Sequence, residues 1–388
     1  MKHHLTFLGR YACLARYARV AAGVLALAGL VCAQSVPEQF IVTGKNAEKI
    51  KDFTTINLAT AERIATTCEA AAVTQGVQIS IIVLDNDGNQ VYFDRMDGQG
   101  YLNIITADMK ARTALMLRAP SKTVMNAALQ DPARELQFIQ LGEFPNGGGL
   151  PIVVNNQMIG AVGVGGSAPK PPVWSDEICA HKALTEVIGA ANVPALLADV
   201  KPQPNPNANT APVPRFAAAN PPKSTLEADW VVGGPGAGRV FDGNQISLAT
   251  AKKIAKTCRD MAAGEGTARS IFILDMAGEF VHAERMDGQV FNNIRTGLLK
   301  AQTSLKTRQP TSVITAQLRN NPNGTARSTT YFNLFSNAGG LPIVVDGQMI
   351  GAIGVGGGTG PGADENCAIA GLKAAFGDHV TLPVYPAK

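Results

Sequence analysis

Two matching sets of side chains stand out as able to do chemistry. Arg95 and Asp97 lie in the run Arg95-Met-Asp-Gly-Gln99, Lys110 follows, and the glycine pair Gly148-Gly149 comes later. Arg285, Asp287, Lys300, Gly339 and Gly340 repeat the set. Arginine offers a planar two-pronged donor that suits a carboxylate. A lysine in mid-helix among alanines can meet an anion or, if buried, act as a base. Paired glycines let backbone N–H groups approach a ligand closely. The same residues also admit a structural reading: Arg-Met-Asp-Gly closes a hairpin with an internal ion pair, and the lysines lie along a helix surface. Duplication copies structural and functional residues alike, so repetition does not separate the two.

Other chemistries lack support. The glycine run from Gly160 to Gly166 has no following Gly-Lys-Ser/Thr, which a phosphate-cradling loop needs. Asp176-Glu177 suits a helix N-terminus better than a metal. There is no Cys-x-x-Cys, His-x-x-x-His or Gly-x-Ser-x-Gly, so neither a zinc centre nor a serine hydrolase is indicated and no metal is expected.

The elements that must position these residues follow from an internal duplication. Leu58-Ala-Thr-Ala61 recurs as Leu248-Ala-Thr-Ala251, and Gly148-Gly-Leu-Pro-Ile-Val-Val154 recurs from Gly339 to Val345. A spacing of 190 separates Arg95 from Arg285, and 191 separates Gly148 from Gly339. Two domains are expected, at 50–192 and 240–381. Between them the prolines of 201–222 predict an extended spacer over 195–240, and 34–50 reads as a short lead-in. Each copy opens with an amphipathic helix: Leu58, Ala61, Ile64, Ala65, Cys68 and Ala72 share one face. Alternation from Val77 to Val83, a turn at 85–89, and Val91 and Phe93 predict a hairpin ending at Arg95-Met-Asp97. A helix is expected at about 103–118, then a polar stretch. Strands at 150–155 and 158–164 flank a tight turn, and a last helix starts near Asp176 or Asp364. Antiparallel strands with added helices give a mixed α/β (α+β) domain rather than a doubly wound sheet.

The first 33 residues read as a secretory signal: Lys2, Arg10, Arg16 and Arg19 precede an apolar run from Val20 to Val31, and Val31-Cys32-Ala33 offers small residues for cleavage. An uncleaved N-terminal anchor is the alternative, although the apolar run is short for a membrane span. No other stretch is long and apolar enough to cross a membrane. The chain has 34 Lys and Arg against 30 Asp and Glu, and removing the four basic residues of the signal leaves a neutral chain. That excludes the basic footprint of a nucleic-acid binder. A periplasmic or secreted location is expected. Four cysteines remain, Cys68 and Cys179, Cys258 and Cys367, one in the first and one in the last helix of each copy. In an oxidising compartment they are expected to form the disulfides Cys68–Cys179 and Cys258–Cys367; four small buried core residues are the alternative.

Taken in order and twice over, the opening Leu-x-x-Ala helix, the Val-Leu-Asp-x-x-Gly hairpin, Arg-Met-Asp-Gly, the Lys-Ala helix, Gly-Gly-Leu-Pro-Ile and Ile-Gly-Ala-(Ile/Val)-Gly-Val resemble the GlcG/HbpS family, to which the C-terminal domain of PduO-type proteins is similar. The resemblance covers nearly all of both copies. It implies a profilin-like α/β/α fold with a five-stranded antiparallel sheet, assembly into higher oligomers that leaves a homo-oligomer open here, and haem binding in some members. Some haem-binding members supply an iron-ligating histidine from around the first helix, and neither first helix here has one. Beyond the signal only His181, His282 and His379 occur; His282 aligns with Tyr92, and that shared position is a candidate iron ligand. An ordinary packed strand residue is the alternative.

Two function classes follow. One is an exported protein that captures, stores or senses haem or a related tetrapyrrole, a small-molecule partner with no nucleic acid and no membrane. The other is an enzyme on a small hydroxy- or oxo-acid, with Lys110/Lys300 and Asp97/Asp287 as acid–base groups. Mass spectrometry of the native protein should find an N-terminus near Gln34; an intact Met1 in a cytosolic fraction would refute export.

Overall fold

The computed structural model describes residues 36–49, 54–167, 169–170, 173–202, 223–240, 242–320 and 322–383. The signal read at 1–33 lies outside them, as does the proline-rich 203–222. The first copy runs α1 (Leu58–Thr74), β1 (Ser80–Leu84), β2 (Gln90–Arg95), α2 (Leu102–Leu117), α3 (Lys122–Gln130), α4 (Pro132–Gln140), β3 (Gly149–Val154), β4 (Gln157–Gly165) and α5 (Asp176–Ile188). The second repeats it as α6 (Leu248–Gly264), β5 (Ser270–Leu274), β6 (Phe280–Arg285), α7 (Phe291–Thr307), α8 (Thr311–Asn320), α9 (Pro322–Tyr331), β7 (Gly340–Val345), β8 (Gln348–Gly356) and α10 (Ala363–Phe376).

Local chemistry sets the boundaries. The Asn57 side chain caps α1 by accepting from the Thr60 N–H at 2.8 Å, and Ser247 caps α6 through Thr250 at 3.2 Å. Asn155 and Asn156 both have positive φ, 50° and 63°, the geometry of a two-residue turn that matches the strand twist. Every residue of β1 is buried, because α1 and α5 cover one face of the sheet and α2 the other. Gly163 of β4 lets α2 settle closely: a Cβ there would collide with the Ala107 carbonyl oxygen. The polar stretch before β3 holds α3 and α4, which sequence patterning misses because Leu136 and Ile139 of α4 face solvent.

The strands form one antiparallel sheet in the order β3-β4-β1-β2-β6-β5-β8-β7. Each copy therefore contributes four strands among the described residues, not the five that the resemblance implies. What closes the sheet is the partner copy: β2 pairs with β6, Tyr92 opposite Glu284, Phe93 opposite Ala283 and Asp94 opposite His282. The seam is symmetric about Phe93 and Ala283, so the two copies relate as the halves of a dimer carried in one chain. Three apolar cores result, one beneath each first helix and a third, containing Phe93, Ile104, Phe272 and Ala283, that spans the seam.

The spacer read at 195–240 is shorter than the sequence suggests. Leu226, Trp230, Val231 and Val232 are buried, and Val36, Phe40 and Val42 occupy the matching places before the first copy. Val231 bridges Ile246 as Ile41 bridges Ile56. The repeat spacing, carried backwards, pairs Phe40 with Trp230 and Val42 with Val232, so this folded lead-in was readable but hidden by the neighbouring prolines.

Disulfides join Cys68 to Cys179 and Cys258 to Cys367, tying each first helix to the last helix of its copy. Closing loops of 111 and 109 residues should contribute about 4 kcal/mol each. Thiol counting on the denatured, unreduced protein should find none of these four free, and reduction should lower the urea midpoint; four free thiols would refute the bridges.

Candidate functional site

The residues that the sequence groups as one site fall in two places. The first is the joint between the copies. Arg95 is buried, and its guanidinium donates to Asp275 in the partner copy's hairpin turn at 2.8 Å while stacking over Tyr101. Arg285 does the reverse, donating to Asp85 at 2.7 Å. Asp97 accepts from the Leu248 N–H at 2.8 Å, at the start of α6, and Asp287 accepts from the Leu58 N–H at 2.8 Å, at the start of α1. Burial pushes both carboxyls up from the usual range, against the opposing pull of these N–H groups and the neighbouring arginines. The Arg-Met-Asp-Gly run is thus a reciprocal clasp. The ion pair foreseen within one hairpin exists, but between copies, and it leaves neither arginine open to a ligand.

Tyr92 and His282 also lie in the joint. Their rings meet edge to face, with centroids 5.3 Å apart, and both are buried. His282 Nδ1 sits 2.6 Å from Asp94, and Nε2 sits 3.4 Å from Glu284. Burial pushes the imidazole down, but Asp94 and Glu284 outweigh it and hold the pKa at about 9. Burial likewise pushes Asp94 up, yet His282 and Lys252 hold it at about 2. An imidazole held toward its protonated form by Asp94 at Nδ1, with Glu284 near Nε2, has no lone pair for iron, and burial pushes the Tyr92 hydroxyl up, away from the phenolate. The candidate iron-ligand position is therefore a packed seam position.

The second place is the start of the last helix. Lys110 of α2 is buried and donates to Asp176 at 2.7 Å and to the Val164 carbonyl at 3.1 Å. Lys300 repeats this with Asp364 at 2.7 Å and Val355 at 2.9 Å. Gly148 and Gly149 touch this cluster, but for packing: a Cβ at Gly149 would strike the Lys110 carbonyl, and one at Gly148 would lie 2.8 Å from the Asp176 side chain. Gly339 and Gly340 meet Asp364 and Lys300 in the same way. These glycines admit the chain's own helix, not a ligand.

Beside the cluster opens a cavity of about 760 Å³, lined by Lys110, Lys122, Met125, Trp174 and Glu177, and by 196–199 beyond α5. Lys122, which sequence reasoning passed over, is its central cation. It lies 3.2 Å from Glu177, 2.6 Å from Asp199 and 2.7 Å from the Leu197 carbonyl. Burial pushes this amine down, but Asp199 and Glu177 outweigh it and raise its pKa. Burial raises Glu177. Asn126 donates to the Ala198 carbonyl at 2.9 Å, so 197–199 lie across the opening as a strap. The signal for Lys122 is weak in sequence: it follows Pro120-Ser121 in a stretch with no clear period, and its counterpart in the second copy is Ser312.

The description "Haem degrading protein HbpS-like" matches residues 56–185 and again 246–373. The chain belongs to the HbpS-like family. An uncharacterized 15.0 kDa protein from the dhaT-dhaS intergenic region of Citrobacter freundii is 34% identical over 140 residues, 35% of this chain and 94% of that protein. The crystal structure of Klebsiella pneumoniae protein ORFY is 31% identical, with 37% of this chain and 94% of that one covered and a TM-score of 0.31. A crystal structure of HbpS is 28% identical, with 38% and 99% covered and a TM-score of 0.32. Each of these HbpS-like relatives is about the length of one copy, and this chain carries two.

The clasp makes a prediction opposite to that of a ligand-binding arginine. Arg95→Ala or Arg285→Ala leaves a buried aspartate with only its turn's hydrogen bonds and no counter-charge, and should cost about 3–5 kcal/mol of stability in urea denaturation. A variant as stable as the parent would return the arginines to the list of ligand-binding residues.

Proposed function

We propose that this HbpS-like chain is an exported small-molecule-binding protein whose ligand is haem or a related carboxylated tetrapyrrole, held in the cavity of the first copy for uptake, storage or sensing. The observation that carries this reading is the cavity at the start of α5. Its volume of about 760 Å³ falls in the range of cofactor sites, and it combines apolar walls at Trp174 and Met125 with the cation Lys122. The family description, which names haem, supports the ligand class. Export to the periplasm or beyond rests on the basic and apolar leader and agrees with the disulfide pairs.

The lining residues fit the body and edge of such a ligand. A propionate would replace Asp199, which is largely exposed at 69%, as the partner of Lys122. That exchange would free Asp199 from the strap's tethers and leave the hydrogen bonds of Lys122 to the Leu197 carbonyl and of Asn126 to the Ala198 carbonyl. Trp174, almost fully buried in the first copy's core, contributes to one wall of the cavity. Met125 is the lining side chain of a type that ligates haem iron. Bound haem would supply redox-active iron; the chain's part is to bind and orient it.

The second copy is altered at the same positions. Ser312 replaces Lys122, Thr315 replaces Met125 and Gly362 replaces Trp174. Buried Arg269, where the first copy has Ile79, reaches to 3.4 Å from Asp364. One ligand per chain follows from these differences. The enzyme alternative loses its acid–base pair, since Asp97 serves the α6 N-terminus while Lys110 is held by Asp176.

Titrating haemin into the full chain should give a Soret shift that saturates at one equivalent. Lys122→Gln should weaken binding by about ten- to a hundredfold, the loss of a charge-assisted hydrogen bond. A titration without saturation would refute haem binding, and unchanged affinity in the variant would refute the placement of the carboxylate.

A further inference from the structure

The joint between the copies carries side chains whose charge differs between the two halves. At the repeat spacing of 190, α1 presents Glu62 and Glu69 where α6 presents Lys252 and Arg259, and β2 presents Tyr92 and Asp94 where β6 presents His282 and Glu284. These groups meet across the seam. Lys252 reaches Glu69 at 2.9 Å and Asp94 at 2.7 Å. Arg259 reaches Glu62 at 3.1 Å and its own copy's Glu284 at 3.0 Å. His282 completes the set on Asp94 at 2.6 Å. Asp94, His282 and Glu284 are almost fully buried, so water screens their charges little.

We propose that this joint is a recognition surface with a charge code, in which the acidic face of the first copy accepts the basic face of the second and rejects another copy of itself. The seam is symmetric in backbone, so hydrogen bonding between β2 and β6 does not by itself choose between like and unlike copies. The side chains do choose. Pairing two first copies on the same geometry would set Glu62 against Glu69 and Glu62 against Asp94, with no base on either side. Pairing two second copies would set Lys252 against Arg259 on both sides of the axis, with Glu284 as the one acid of each copy set against Lys252, Arg259 and His282. Juxtaposed like charges in a joint whose centre, at Asp94, His282 and Glu284, is buried and whose rim, at Glu62 and Lys252, is partly exposed are a usual means of refusing a wrong partner. The reciprocal clasp of Arg95 with Asp275 and Arg285 with Asp85 has the same charges in both copies and adds affinity without choice.

The burial of individual groups fits this balance. Burial and the neighbouring Asp94 push the Glu69 carboxyl up, against the opposing pull of the Lys252 ammonium that the second copy brings to it. Lys252, Arg259 and His282 of the second copy thus meet Glu62, Glu69 and Asp94 of the first, with Glu284 beside Arg259 and His282.

The test uses the full chain with a protease site placed within 203–222. After folding and nicking, native mass spectrometry reads which halves stay together, and dilution reads how tightly. The wild-type halves should remain one of each kind, with no like-with-like pairs after prolonged mixing. Glu62→Lys with Glu69→Arg should loosen the joint by about a hundredfold or more, and adding Lys252→Glu with Arg259→Glu should restore it to within about tenfold. If the first variant does not fold, recovery of folding in the four-fold variant carries the same information. The code is overturned if the wild-type halves re-sort into like pairs, if the two acidic residues can be reversed without loss, or if the compensating changes rescue neither association nor folding.

Discussion

The antiparallel pairing of β2 with β6 is the constraint on which the rest of this molecule depends. Alone, either strand would be an open sheet edge, a row of unpaired backbone groups that invites pairing with whatever chain arrives. Pairing them buries that edge and fixes its register at Phe93 and Ala283. The register then dictates the neighbourhood. The end of each hairpin falls at the first helix of the other copy, and each arginine comes opposite the other copy's turn aspartate. The lead-in segments cross as well: Arg239 donates to Gln78 at 2.7 Å, and a Cβ on Gly98 would collide with Gly236. The Arg-Met-Asp-Gly run appears twice because each copy must hold the other.

A tandem arrangement frees the two halves from being identical. In a symmetric dimer, any side chain at the seam meets its own kind or a fixed neighbour. Within one chain, the two sides can diverge into acid and base. The same freedom extends to the cavities. The first copy has Lys122, Met125 and Trp174 where the second has Ser312, Thr315 and Gly362, so one half can hold a ligand while the other serves as its partner in the sheet. Within each copy the disulfide ties the first helix to the last, and the cavity opens at the start of that last helix. The cavity floor is thus covalently braced, and the strap over it is held by hydrogen bonds from Lys122 and Asn126.

Much of this was legible in the sequence. The repeat, the strand order, the first, middle and last helices of each copy, the turn at Asn155-Asn156 and the cysteine pairing are legible in residue order, because period, turn chemistry and duplication are local or linear properties; α3 and α4 are not, and the family is legible only as a resemblance. The buried partners of Lys110 and Lys300 were half legible: mid-helix lysines among alanines suggested burial, and Asp176 and Asp364 were read as helix-start acids, but not as the lysines' partners. Only the tertiary structure decided what Arg95, Asp97, Tyr92 and His282 do. Each is set by what lies across the β2–β6 seam, roughly 150 to 200 residues away in the chain, and no spacing within one copy encodes it. Lys122 was missed for a related reason, since its meaning comes from Glu177 and Asp199, which the fold brings to it from beyond β4. The sequence determined the elements and their repetition, since those rest on neighbours within a few residues; contacts between copies decided which charged residues are structure and which are left to meet a ligand.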